Sequence, residues 1–114
     1  MATTKKHKTW RNLLLDAAAL IERTGWTRLG WAQTKHKEFC DPSDPTAAFF
    51  CASGALNRAF LDGGYSLFAI RVAMERLMER VEPDDIPIWN DNLPVRSGKR
   101  TVIKTLRAVA GVKT

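Results

Sequence analysis

Apolar side chains recur at spacings of three and four from Trp10 through Leu13, Leu14, Ala17, Leu20 and Ile21. That stripe predicts an amphipathic helix from about Thr9 to Thr24, with Gly25 as its left-handed C-terminal cap. Residues 26–43 lose the helical period, and the polar run Gln33 to Glu38 inside them predicts a turn between two short extended pieces, a small hairpin or an ordered loop. Trp26, Trp31 and Phe39 in that stretch are expected to pack on the helices, because leaving all three in water would make an unusual apolar patch. A second helix is predicted to start with Asp44 as cap and Pro45 at the first helical position, and to run to about Leu61. Its many small residues, with Gly54 in the interior, imply that another backbone crosses it closely.

Leu67, Ile70, Met74, Leu77 and Val81 predict a third helix from about Ser66 to Val81, stopped by Pro83, with Arg71–Glu75 and Arg76–Glu79 as ordinary surface pairs. Pro87 and Pro94 in residues 84–98 argue for a structured loop. A last helix, from about Arg100 to Val112, buries Val102, Leu106, Val109 and Ala110 and leaves Arg100, Lys104 and Arg107 together on its opposite face. The fold class is therefore mostly α: a compact bundle of about four helices with a small β-hairpin after the first. Residues 1–8 read as a disordered basic tail and residues 9–112 as a single helical domain.

Composition adds little to that picture until charge is followed along the chain. A length of 114 residues, 45% of them apolar, is enough for one hydrophobic core without staples. No apolar run approaches the roughly 18 residues that span a bilayer, and the polar, basic first eight residues do not read as a secretory leader. Two cysteines, too few for a disulfide framework, point with that to the cytoplasm. The net charge of +6 is unevenly placed: residues 1–11 and 96–113 hold ten bases and no acid, leaving eight bases against twelve acids between them. Basic ends that fold side by side would present a positive patch to phosphate, whereas a solvated tail and an ordinary outer helix face would present none.

Several short motifs follow one another in order: Gly25-Trp26, then Asp41-Pro42-Ser43-Asp44-Pro45, then Phe50-Cys51-Ala52-Ser53-Gly54-Ala55-Leu56, then Trp89-Asn90-Asp91 before the final helix. Together, over Leu13 to Ala110, they resemble a family of small bacterial and bacteriophage proteins of unknown function, best known from actinobacteria. The resemblance implies one independent domain with no assigned activity, and it makes Cys51, Gly54, Trp89, Asn90 and Asp91 the signature positions. The chain departs from the family pattern at Lys99 to Lys104, where the family carries an acid early in the last helix and here only bases stand.

Four sets of residues have types suited to chemistry. Cys51 is the most nucleophilic side chain, with His36 and Asp91 as the base and orienting group that a thiol enzyme needs. Counted from a cap at Asp44, it would lie nearly two turns into a helix, beyond the reach of the helix dipole and more suited to burial. Cys40, Cys51, His36 and Asp41 have metal-ligand chemistry but lack the short spacing of a zinc site, so no metal and no cofactor are expected. Trp89, Asn90 and Asp91 combine a stacking plane with hydrogen-bonding groups: they form either a ligand or partner loop, or a core plug held by backbone bonds. Arg96, Lys99, Arg100, Lys104 and Arg107 are candidate phosphate contacts. Asp62-Gly63-Gly64 lacks the strand and the lysine of a phosphate-binding loop.

The sequence thus favours a non-catalytic binding or regulatory protein that docks on a macromolecular partner. Nucleic-acid binding through the basic C-terminal helix and tail is the alternative, and a cysteine-dependent enzyme built on Cys51 stands third.

Overall fold

Thr9 starts the first helix because its hydroxyl accepts the Asn12 N–H while the Asn12 side chain accepts the Thr9 N–H, a reciprocal cap that satisfies two otherwise orphaned donors. The computed structural model describes residues 8–112. The expected basic tail therefore lies outside the described residues except for Lys8, which donates to the Gly63 carbonyl and stands 5.6 Å from the centre of the Tyr65 ring.

Helix α1 (Trp10–Arg23) buries Leu13, Leu14, Ala17, Ala18, Leu20 and Ile21, the stripe its sequence predicts. Its end differs from the prediction. Thr24, not Gly25, is the C-cap, with both its N–H and its hydroxyl on the Leu20 carbonyl. Gly25 is needed for closeness instead: a Cβ there would lie 2.4 Å from the Phe49 ring.

The hairpin is present and acquires a third strand. β1 (Ala32–Thr34) pairs antiparallel with β2 (Phe39–Cys40) on one side and with β3 (Ala47–Phe50) on the other, so Ala32 faces both Cys40 and Phe50. β3 occupies residues the sequence assigns to the second helix. Asp44 does not cap a helix: its carboxylate accepts the Thr46 N–H and hydroxyl and closes a turn into the strand. The Phe50 N–H and carbonyl then pair with the Gly25 carbonyl and the Thr27 N–H, so the exit from α1 runs along the far edge of β3. Of the three aromatics expected to pack inward, Trp26 packs against the core, whereas Trp31 (54% exposed) and Phe39 stand in solvent.

Helix α2 (Ala52–Gly63) begins seven residues later than predicted, with Cys51 as N-cap and its Sγ accepting the Gly54 N–H at 3.2 Å. The expected close backbone is there: a Cβ on Gly54 would sit 2.0 Å from the Trp31 carbonyl oxygen. Gly64, at φ 66°, takes the left-handed cap that ends the helix. Helix α3 (Leu67–Val81) is capped by Ser66 and buries Ala69, Ala73, Leu77 and Val81. Leu67, expected on the buried stripe, is 76% exposed, because the small Ala69 and Ala73 lead the inward face. Arg76 pairs with Glu79 at 3.9 Å, while Arg71 lies over the Phe68 ring rather than pairing with Glu75.

The described residues form five helices, not four. Residues predicted as a loop contain α4 (Ile86–Asn92), with the Asp85 carboxylate capping the Ile88 N–H. Pro87 stands in the first turn, where its missing N–H would have no intrahelical partner anyway, and Pro94 lies beyond the C-cap, so the two prolines bracket the helix instead of forbidding it. Helix α5 (Gly98–Val109) starts slightly earlier than predicted and buries Gly98, Val102, Ile103 and Leu106. α1 is the central element, packed by α5, α2 and α3 around one apolar core, with the small sheet at its C-terminal end. No described helix is long and apolar enough to cross a membrane.

Candidate functional site

Asn90 is the polar centre of the molecule. It is wholly buried, and its four hydrogen bonds use the full capacity of one amide in this setting: Oδ1 accepts the Trp26 Nε1–H at 2.8 Å and the Ala52 N–H at 3.0 Å, while Nδ2 donates to the Thr27 carbonyl and to Asp91 Oδ1, both at 3.1 Å. Helix α4 thus grips the start of α2 and the segment after α1 through a single side chain. Asp91 extends the grip by accepting the Leu29 N–H at 2.9 Å, where Leu29 is held at φ 68°, and its carbonyl accepts from Arg28. Trp89 packs partly buried against the core. All three side chains of the Trp89-Asn90-Asp91 cluster therefore make contacts within the fold. Trp26 and Arg28, half of this arrangement, carry no sequence signal beyond the Gly25-Trp26 pair.

The geometry around Cys51 differs from that assumed in the sequence reading. Cys51 is at the helix start, not two turns in, yet it is buried, and burial pushes its thiol pKa up against the opposing pull of the Gly54 and Ser53 N–H groups. The Asp91 charge pushes it the same way as burial. His36 sits exposed in the β1–β2 turn, its own N–H on the Thr34 hydroxyl, and among the described residues no hydrogen bond joins it to Cys51 or Asp91. Cys40 is half-buried, and it too is raised, first by desolvation and then by Asp44 and Asp41. Raised pKa values leave less thiolate at pH 8 than an ordinary thiol has. A disulfide reagent is accordingly expected to titrate at most one thiol per native chain, slowly, and two in denaturant, with Cys51→Ser leaving the native count unchanged. Rapid native reaction abolished by that substitution would make Cys51 a nucleophile. Among the described residues no group of three or more His, Cys, Asp or Glu is placed to hold a metal ion.

The basic residues are brought together. Arg96, Lys99, Arg100, Lys104 and Arg107 line a single groove of about 390 Å³ along α5, with Ile103 at its base and Glu22 of α1 on its wall. The helical spacing of Arg100, Lys104 and Arg107 accounts for three of them. Arg96 and Lys99 join because the backbone turns at Pro94 to Gly98, where the Ser97 and Gly98 N–H groups both reach the Pro94 carbonyl. Gly98 lets this turn approach the core, since a Cβ there would meet the Trp26 ring at 2.1 Å. Glu22 holds Arg107 at 2.9 Å, leaving the other four bases without a partner in the groove wall. Arg96, Lys99, Arg100 and Lys104 are all exposed, so their contact with a ligand carries little desolvation cost.

A second concavity, which the sequence does not announce, lies between β2 and α2. Trp31, Cys40, Asp41, Pro42, Asn57 and Leu61 surround a cleft of about 460 Å³.

A family model described as a family of unknown function, DUF6197, matches residues 5–112. No curated protein and no solved structure matches the chain.

Proposed function

The chain belongs to that family of unknown function, and we propose that it is a non-catalytic binding protein whose macromolecular partner is a nucleic acid, held by its phosphates in the α5 groove. The observation that carries this reading is the gathering of five cationic side chains from one twelve-residue stretch into a single groove with one acid on its wall. Exposed guanidinium and ammonium groups along a helix neutralise a phosphate backbone without reading its sequence, so the binding is expected to be electrostatic and tolerant of sequence. The two free thiols, Cys40 and Cys51, fit work in a reducing cytoplasm.

Fluorescence anisotropy with labelled single- and double-stranded DNA at several salt concentrations tests it. With Arg107 tied to Glu22, four free bases predict a slope of log K against log salt of about −3.6 on duplex DNA. Replacing Arg100 and Lys104 by Gln is expected to reduce the slope by about 1.8 and to weaken binding more than tenfold at low salt. Absence of binding at low salt, or binding indifferent to both substitutions, overturns the reading.

A further inference from the structure

The cleft between β2 and α2 has mainly apolar walls, and carboxylates stand beside it on a chain whose net charge is +6. Trp31 and Leu61 form its exposed apolar walls. Asp41 lies in the wall itself, and Asp44 stands close enough to act electrostatically on Cys40, which also lines the cleft. Both carboxylates are held below the ordinary aspartate range, Asp41 by hydrogen bonds from Ser43 and Asp44 by those from Thr46, so both are anionic at neutral pH. Arg58, whose charge reaches Cys40, is already engaged: its guanidinium meets Asp62 at 2.9 Å and donates to the carbonyls of Pro42 and Asp44. With Asp62 balanced by Arg58, the Asp41 and Asp44 carboxylates leave a negative rim beside the apolar walls of Trp31 and Leu61.

We propose that this cleft docks a segment of a partner protein carrying lysine or arginine beside a bulky apolar side chain. The apolar side chain seats between Trp31 and Leu61, and the cation meets the Asp41 and Asp44 carboxylates and the open face of the Trp31 indole. Charge complementarity selects this occupant: a phosphate backbone is repelled by the same rim, and an apolar partner without a cation leaves the carboxylates unanswered. The inference is independent of the nucleic-acid reading, since the cleft and the α5 groove share no lining residue.

The test is nuclear magnetic resonance titration of the full chain with two capped pentapeptides, Lys-Leu-Lys-Leu-Lys and Glu-Leu-Glu-Leu-Glu. The basic peptide is expected to shift the Trp31 indole and Leu61 amide signals saturably, and the acidic peptide to leave those signals unmoved whatever it does at α5. Leu61→Ser, on an exposed helix position, should weaken the basic peptide at least fivefold. Asp41→Asn with Asp44→Asn keeps the acceptor oxygens that hold the two turns, and should weaken it severalfold while removing most of its salt dependence. No saturable shift up to millimolar basic peptide, equal response to the acidic peptide, or indifference to both variants overturns the proposal. Dimerisation in sedimentation runs that Leu61→Ser abolishes would give the face to a second copy and overturn it as well.

Discussion

Asn90→Ala is expected to destabilise the fold by about 4 kcal/mol, more than the removal of any exposed group described above. The substitution deletes little apolar area, so the loss comes from what it strands. The Trp26 indole N–H, the Ala52 N–H at the start of α2 and the Thr27 carbonyl each lose their buried or part-buried partner, at roughly 1–3 kcal/mol apiece, and the three losses do not simply add because the cavity left behind relaxes. Asn90→Asp separates hydrogen bonding from volume. It keeps the one oxygen that accepts from Trp26 and Ala52 but turns its second oxygen toward the Thr27 carbonyl and the Asp91 carboxylate, so it too should destabilise strongly. Denaturant unfolding followed by circular dichroism measures both. Near-native stability for the alanine variant would mean that water replaces the amide and that Asn90 is held for another reason.

Gly54→Ala is the second large effect, and its sign opposes helix propensity. In an open helix this exchange gains about 1 kcal/mol. Here the added methyl would lie 2.0 Å from the Trp31 carbonyl oxygen, a backbone atom that cannot swing aside and that already accepts the Cys51 N–H at 3.1 Å. Relief requires α2 to slide away from the β1 entry, and a net destabilisation of about 3 kcal/mol is expected. Gly64→Ala provides the comparison. Nothing lies within 4 Å of that position, so only the left-handed backbone resists, at a cost of about 1 kcal/mol. A thermal melt showing the two variants equally stable would remove close packing as the reason for glycine at 54.

The contrast between these glycines shows what a sequence reveals of this fold. α1 and α3 are legible because their apolar spacing agrees with strong caps at Thr9 and Ser66. α2 is misplaced at its start because Asp44-Pro45-Thr46 followed by two alanines has good helix chemistry, while the decision for strand is made by a remote partner, β1, which pairs Ala32 with Phe50. Cys51 as a cap, through a weak sulfur acceptor, leaves no recognisable mark in the sequence. α4 is hidden by prolines whose meaning depends on where the helix begins. The basic groove is half legible, as the part carried by one helix face. The cleft is not legible at all, since Trp31, Cys40 and Leu61 come from three separate segments and meet through the sheet. Asn90 is quoted as one letter of a short motif, but its burial follows from partners dozens of residues away.

Those separations also order the assembly of the molecule in time. The bonds from Asn90 cross 64 residues to Trp26, 63 to Thr27 and 38 to Ala52, whereas the β1–β2 turn and the caps of α1, α3 and α4 close within four. Local elements can form while the chain is still open, but the amide finds its partners only after the sheet, the start of α2 and helix α4 have all arrived. Asn90 is therefore expected to close late and, once closed, to act on how slowly the native chain opens rather than on how fast it folds.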